Sequence, residues 1–302
     1  MNRDGDTIRE PQAAAWGFYP FNKSQLIKEL ERAFTNTRFG PGALPSKKQG
    51  GLTIIGGVVP HAGYSYSASC AAWFYKELAE NKPTIETVIL LGTNHTGFGK
   101  TITTSTYYIT WATPLGAVNI DVEFINKLKK EYPPLDDDAL AHTREHSLEV
   151  QLPFLQYVYG DKFRIVPIVV KDLTHQEARD FAEALKRVVD DLKRDAIVIA
   201  SSDFTHHGSI YGYVLFNSNI SQSVRELDKR FIDAITELDT RRFLKLIEDY
   251  NATVCGFGAI AIAMEYTKLL NGKAKLLKYY HSADVTGDED VVVGYASILF
   301  YK

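Results

Sequence analysis

His61, His95 and His206 each lie just past a short apolar run with the composition of a β-strand. The runs are Thr53–Val59, Thr87–Leu91 and Ala196–Ala200. The loops read Pro60-His61-Ala62-Gly63-Tyr64, Gly92-Thr93-Asn94-His95-Thr96-Gly97 and Ser201-Ser202-Asp203-Phe204-Thr205-His206-His207-Gly208. Neutral imidazole is the commonest metal ligand and the usual acid or base near neutral pH. In an open α/β sheet, loops at the carboxyl ends of strands converge on one crevice, where ligands bind. Three imidazoles delivered that way imply a metal or proton-transfer site. One alone would more often be an ordinary surface or hydrogen-bonded histidine. Gly63, Gly97 and Gly208 each follow a loop histidine within two residues, where backbone can turn sharply or approach a ligand.

Other residues could join them. In Asp203-x-x-His206 a carboxylate and an imidazole share one tight loop. Asp203 could orient His206, the candidate acid/base, or simply cap its own turn. His207 leaves open which of the two histidines points inward. Cys255, in Thr253-Val254-Cys255-Gly256-Phe257-Gly258, precedes an apolar helical pattern. A helix N-terminus lowers a thiol's pKa, and a thiolate can bind metal or attack. The plainer alternative is a small buried residue at a turn. Cys70, in a small-residue helical stretch, reads as a buried core thiol.

His142-Thr143-Arg144-Glu145-His146 matches H-x-x-E-H, the inverted zinc-peptidase motif. On one helix His142 and His146 would share a face, with Glu145 as base. The apolar face of Leu148, Leu152 and Leu155, however, starts that helix near Glu145 and leaves His142 outside it. Glu145, His146 and Glu149 would then line the cleft or form a polar helix start. Gly256-x-Gly258-x-x-Ala261 imitates a dinucleotide fingerprint, but the strand after it carries no acidic residue at its end. A nucleophile elbow and a phosphate loop are both missing, which argues against a serine hydrolase or P-loop nucleotidase.

The elements that must position these residues follow from periodicity. Helical spacing predicts Gln25–Phe34 with Ser24 as cap, Ser67–Leu78, Val122–Glu131 capped by Asp121, and Thr174–Leu192 opening on a Thr174/Glu177 capping box. Further helices are predicted at Asn219–Ile235, Thr240–Glu248 and Gly256–Leu270. Strands are predicted at Phe163–Val170, Lys275–His281 and Val291–Phe300, the last inside the sheet because both its faces are apolar. Pro41–Gly51 reads as a surface loop. The alternation implies one α/β domain over residues 1–302, built on a central sheet.

The bulk properties agree. The chain has 302 residues, 45% hydrophobic and 24% charged, enough for a full core. Its net charge of −3 gives no reason to expect nucleic acid or an anionic membrane as partner. No apolar run reaches the roughly 20 residues of a membrane helix. Residues 1–6 lack the apolar core of a signal peptide, so a cytoplasmic protein is expected. With two cysteines, disulfides cannot organise the fold.

Taken together, several segments resemble the Memo family. They are Arg9-x-Pro11 through Gly17-Phe18-Tyr19-Pro20, Pro60-His61-Ala62-Gly63-Tyr64, Gly92-x-x-His95, Glu145-His146-Ser147-Leu148-Glu149-Val150-Gln151-Leu152-Pro153, Ser201-Ser202-Asp203-Phe204-x-His206 and Cys255-Gly256. They run in family order across most of the chain. The resemblance implies an αβα sandwich around a mixed sheet, similar to class III extradiol dioxygenases. It also implies a metal pocket of His61, His95 and Cys255 with Asp203 and His206 beside it. The extradiol enzymes bind Fe(II) through two histidines and a carboxylate. Cys255 at the third position departs from that pattern and puts ring cleavage in doubt. Fe(II) is the first expectation, and a thiolate also suits Cu or Zn.

The expected function is a metal-dependent redox or oxygenase-type activity. The ligand is a small molecule or peptide beside Tyr64, Tyr66, Phe98, Phe204 and Phe257. Two alternatives stand: a binding module on a dioxygenase scaffold that has lost its chemistry, and a zinc peptidase using His142, Glu145 and His146. The substrate and the oligomeric state are not written in the sequence.

Overall fold

A computed structural model describes residues 7–46 and 50–302. The N-terminal hexapeptide and the centre of the Pro41–Gly51 loop lie outside the described residues. In chain order the strands are β1 (Ile8–Arg9), β2 (Ile54–Val59), β3 (Thr87–Thr93), β4 (Ile102–Thr104), β5 (Thr110–Thr113), β6 (Gly116–Ile120), β7 (Asp136–Asp137), β8 (Arg164–Val170), β9 (Ala196–Ser201), β10 (His206–His207), β11 (Lys273–His281) and β12 (Val292–Tyr301). The α-helices are α1 (Gln12–Ala15), α2 (Lys23–Thr35), α3 (Tyr64–Asn81), α4 (Val122–Glu131), α5 (Leu140–Thr143), α6 (Leu152–Tyr159), α7 (His175–Leu192), α8 (Ile220–Thr236), α9 (Thr240–Tyr250), α10 (Phe257–Leu269) and α11 (Ser282–Thr286).

The sheet runs β1-β5-β6-β8-β3-β9-β2-β12-β10, with β11 also paired to β12. Strands β6, β8, β3, β9 and β2 are parallel, while β12 runs antiparallel to β2 and β11. Strands β2 and β3 are buried along their whole length, as expected where helices cover both faces of a parallel sheet. Helix α3 packs on β2 and β12 under α2 and α6. Helix α10 packs on β2, β3 and β9 and against α7 and α9. This is a mixed sheet between helical layers, as the resemblance implied.

Register places the site. The adjacent strands β3, β9 and β2 are aligned so that Leu91 faces Ala200 and Val59 faces Ser201. Their carboxyl ends therefore stop together, and the loops carrying His95, Asp203–His206 and His61 leave the sheet side by side.

Local chemistry explains the boundaries that moved. Asp121 and the Thr174/Glu177 box cap α4 and α7 as predicted. Asn22, not Ser24, caps α2, because its Oδ1 accepts from the backbone of Ser24 and Gln25. Helix α3 starts three residues early: the Gly63 carbonyl accepts from Ser67 N–H, so the turn after His61 is already helical. Helix α6 starts late, at Leu152, after a 3-10 turn over Glu149–Gln151. Pro153 suits a first helical turn, having no N–H to give an upstream carbonyl. The short strands β4, β5 and β6 carry too few alternating residues to be seen in the sequence.

Candidate metal centre

The His61 ring is buried and its tautomer can be read from its neighbours. Ser201 Oγ donates to the Ser147 carbonyl (2.6 Å) and accepts from Gln151 Nε2 (2.8 Å). Its single hydrogen is thus committed. It can only accept from His61 Nδ1, 3.1 Å away. Nε2 therefore faces the crevice, with Cys255 Sγ at 3.2 Å.

His95 is fixed by a different device. The buried Glu145 carboxylate accepts its backbone N–H (2.7 Å) and stands 2.9 Å from Nδ1. It also accepts from Ser147 N–H (2.8 Å). With Nδ1–H donated to a carboxylate, Nε2 is again the nitrogen left for a partner in the crevice. This carboxylate–histidine pairing is the usual support behind a metal-bound imidazole. Burial alone would raise the Glu145 pKa, but the hydrogen bond and charge of His95 hold it down at about 2. Burial alone would lower His95; Cys255 and Glu145 together push it up to about 10 in the metal-free protein.

His146 completes a cluster of rings. It stacks on His95 (4.5 Å, 16° between planes) and meets His61 edge-on at 5.4 Å. Phe18 covers it at 4.4 Å. One donor nitrogen from each of His61, His95 and His146 lies within 4.8 Å of the others. Burial, then the charges of His61 and His95, push His146 down to about 3, so it is a neutral imidazole.

Cys255 sits one residue before the Gly256 cap of α10. Burial would raise its pKa. The charge and hydrogen bond of His61, with His95 and His206, hold it well below the ordinary thiol range instead. Cys255 is therefore a thiolate, whereas burial pushes Cys70 up to about 12. In metal-free protein, iodoacetamide at about pH 6 should label Cys255 and spare Cys70, since only thiolate reacts. Equal labelling of the two cysteines would contradict this environment.

A family model for Memo-like protein matches residues 9–299. The chain belongs to the Memo family. A MEMO1 family protein of Methanopyrus kandleri is 43% identical over 291 residues, covering 96% of this chain and 98% of the relative. Another from Ignicoccus hospitalis is 40% identical over 293 residues, covering 96% and 98%. A third from Thermococcus kodakarensis is 38% identical over 302 residues, covering 98% and 100%. The match thus includes every residue of the Memo-family crevice described above.

Other expected site residues take different places in this Memo-family fold. Asp203 serves His61 rather than His206: Oδ1 accepts the backbone N–H of His61 (2.8 Å) and Ala62 (3.3 Å). His206 Nδ1 instead faces the carbonyls of Phe204 (2.9 Å) and Thr253 (3.0 Å). It must carry its hydrogen there, leaving Nε2 as an acceptor. His207 is turned away and buried, its Nε2 accepting from Phe216 N–H (3.1 Å). The alternation of β10 separates the two rings.

Tyr64 lines neither of the spaces beside the histidines. It is buried in the core, donating to the Val150 carbonyl (2.6 Å) and packed on Tyr19 and Phe154. Phe204 is likewise fully buried. Of the expected rings Tyr66 does line the cavity, together with Phe18, Tyr211 and Tyr295.

The peptidase arrangement fails. Helix α5 ends at Thr143, so His142 and His146 share no helical face. The His142 ring is buried against Trp111, with Nε2 3.2 Å from the Thr103 carbonyl. Glu149 does not line the cleft either. It is buried beneath it in an ion pair with Arg9 (2.5 Å) and accepts from Tyr19 Oη (2.7 Å) and the N–H groups of Gln12, Ala13 and Ala14. Sequence reasoning missed Ser201, Gln151 and Arg9 as supports. All three lie in segments that carry the resemblance, which was their one signal.

His61, His95, His146, Asp203 and His206 border a cavity of about 470 Å³. Cys255, His95 and His206 border a larger cleft of about 1190 Å³, which shares His95, His206 and Tyr211 with the cavity. Among the described residues, no helix is long and apolar enough to cross a membrane.

Proposed function

We propose that this Memo-family protein is a cytoplasmic metal protein holding Fe(II) on His61, His95 and Cys255, with redox or oxygenase-type activity on a small molecule. One observation carries the reading. Ser201 and Glu145 each take the Nδ1 hydrogen of a histidine, which leaves both Nε2 atoms for a cation, and Cys255 Sγ lies against that of His61. Two imidazoles and one anionic donor leaving open positions make a facial set suited to non-haem iron, and the thiolate extends it to Cu and Zn. A bound metal of this kind supplies Lewis acidity and one-electron chemistry with oxygen.

The chain's own residues supply the rest. His206 Nε2 borders the cavity as an acceptor and serves as the proton-transferring base. Its two carbonyl partners fix the ring without neutralising it. Asp203 holds the His61 loop through two backbone N–H groups. The cavity lies within the roughly 300–1,000 Å³ range of small-molecule sites. Its lining has four aromatic rings and no Lys or Arg, which favours a flat, apolar ligand that does not depend on an anionic group.

Anaerobic Fe(II) titration of metal-free protein tests this reading. In that state the thiolate and the His61 imidazolium share a proton where a cation would sit, so uptake should release protons and weaken as pH falls. The expected result is one equivalent bound with proton release, abolished by His61→Ala. Binding that is indifferent to pH and to His61→Ala would remove the assignment.

A further inference from the structure

Among the described residues, His146 is the one histidine without a hydrogen bond to either ring nitrogen. The other seven each have a partner: Ser201, Glu145, Thr103, Glu265, Phe204, Phe216 and Asp284. The nearest acid to His146, Glu145 Oε1, is 3.8 Å away, beyond hydrogen-bond range. The imidazole packs against Phe18, His61 and His95 and stays partly open to the cavity, so its ring nitrogens are available to a ligand. One of its ring nitrogens lies within 4.8 Å of a ring nitrogen of His61 and of His95.

Cys255 and His146 border different spaces. Cys255 opens on the larger cleft, His146 on the smaller cavity, and His95 borders both. His61 links them, with its Nε2 against Cys255 Sγ and its ring against His146.

Building on the metal reading above, we propose that His146 is an alternative third ligand, so that the His61–His95 pair holds a cation in either of two modes. In one the third donor is the Cys255 thiolate, on the side of the larger cleft. In the other it is His146, giving three imidazoles on the side of the smaller cavity. The thiolate mode favours softer cations, and the all-nitrogen mode suits Zn, Cu or Fe without sulfur. The thiolate then sets metal preference, while retention of metal does not depend on it alone.

Co(II) is the probe, because a thiolate ligand adds a charge-transfer band to its visible spectrum and an imidazole does not. The proteins compared are wild type, Cys255→Ala, His146→Phe and the double variant. His146→Phe keeps the ring stack with Phe18 and His95 but removes the donor. Circular dichroism and thermal unfolding of each metal-free variant show that it is folded. Wild type and His146→Phe should bind one Co(II) with the thiolate band. Cys255→Ala should lose the band and still bind one Co(II), more weakly. The double variant should lose stoichiometric binding.

A folded Cys255→Ala that binds no Co(II) overturns the proposal while leaving the Cys255 site intact. So does a double variant that binds as well as Cys255→Ala. Wild type that binds no Co(II) defeats the metal reading itself, a distinguishable result.

Discussion

Arg9→Ala is expected to destabilise the fold by about 3–5 kcal/mol, the cost of removing one partner from a buried ion pair. Both side chains are almost fully enclosed. The guanidinium does three things at once. Its Nη1 pairs with Glu149, its Nε donates to the His142 carbonyl (2.8 Å) and its Nη2 to the Glu145 carbonyl (2.6 Å). It also lies over the Trp111 ring at 4.2 Å. The first strand thereby clamps the turn that carries Glu145 and His146. Arg9→Lys keeps the charge but not the planar fork, so it should fall between wild type and Arg9→Ala. Urea unfolding of metal-free protein measures both. A loss below about 1 kcal/mol in Arg9→Ala, the range of an exposed pair, would mean that the clamp is not closed in solution.

Glu145→Gln should weaken metal binding by about 10–100-fold, the usual effect of removing a carboxylate behind a metal-bound histidine. The amide still fills the space, but its oxygen is a weaker acceptor for His95 Nδ1–H. The same variant should change the pH dependence of metal-free stability. Glu145 is depressed from 4.5 to about 2, so its contribution is complete above pH 4.5 and lost as pH falls through about 2. His95 is raised from 6.5 to about 10, so its contribution is complete below pH 6.5 and lost as pH rises through about 10. The two shifts share one ion pair and are not added, and Cys255 supplies part of the His95 shift as well. The pair should contribute most between about pH 4.5 and 6.5, on the order of 3 kcal/mol. Glu145→Gln should flatten the acid flank of the unfolding free energy against pH and reduce the alkaline one, where Cys255 still holds His95 up. An unchanged profile would contradict the ion pair.

The crevice was legible because its cause is local. Apolar runs followed at once by histidine mark strand ends, and parallel strands in register bring those ends together. His61, His95, Asp203 and His206 meet for that reason, and Cys255 joins them from the start of α10, which packs on the same strands. The turn around His146 was not legible, because it is held from far along the chain. The backbone of residues 142–145 bonds to Arg9, and Glu149 is fixed by the N–H groups of residues 12–14. No helical periodicity over residues 142–152 could reveal contacts with a segment some 130 positions away.

Smaller misreadings have equally physical causes. Tyr64 fell into the core because α3 begins at Tyr64 itself, and a ring in a first helical turn follows the helix rather than the loop. His206 and His207 were separable only through their pairing with Val293 and Val292 of β12. Asp203 was read against its neighbour in sequence. In the fold, its nearest donors are the N–H groups of the adjoining β2 loop.

The account rests on a cation at the meeting point of His61, His95 and Cys255. The most direct measurement is the metal content of protein purified without chelators or added metal, wild type beside His95→Ala. The account predicts near-stoichiometric iron, or copper or zinc, in wild type and its loss from His95→Ala. A wild type that arrives empty and refuses Fe(II), Cu and Zn on titration would contradict it, and the crevice would then have to bind its ligand through imidazoles and backbone amides alone.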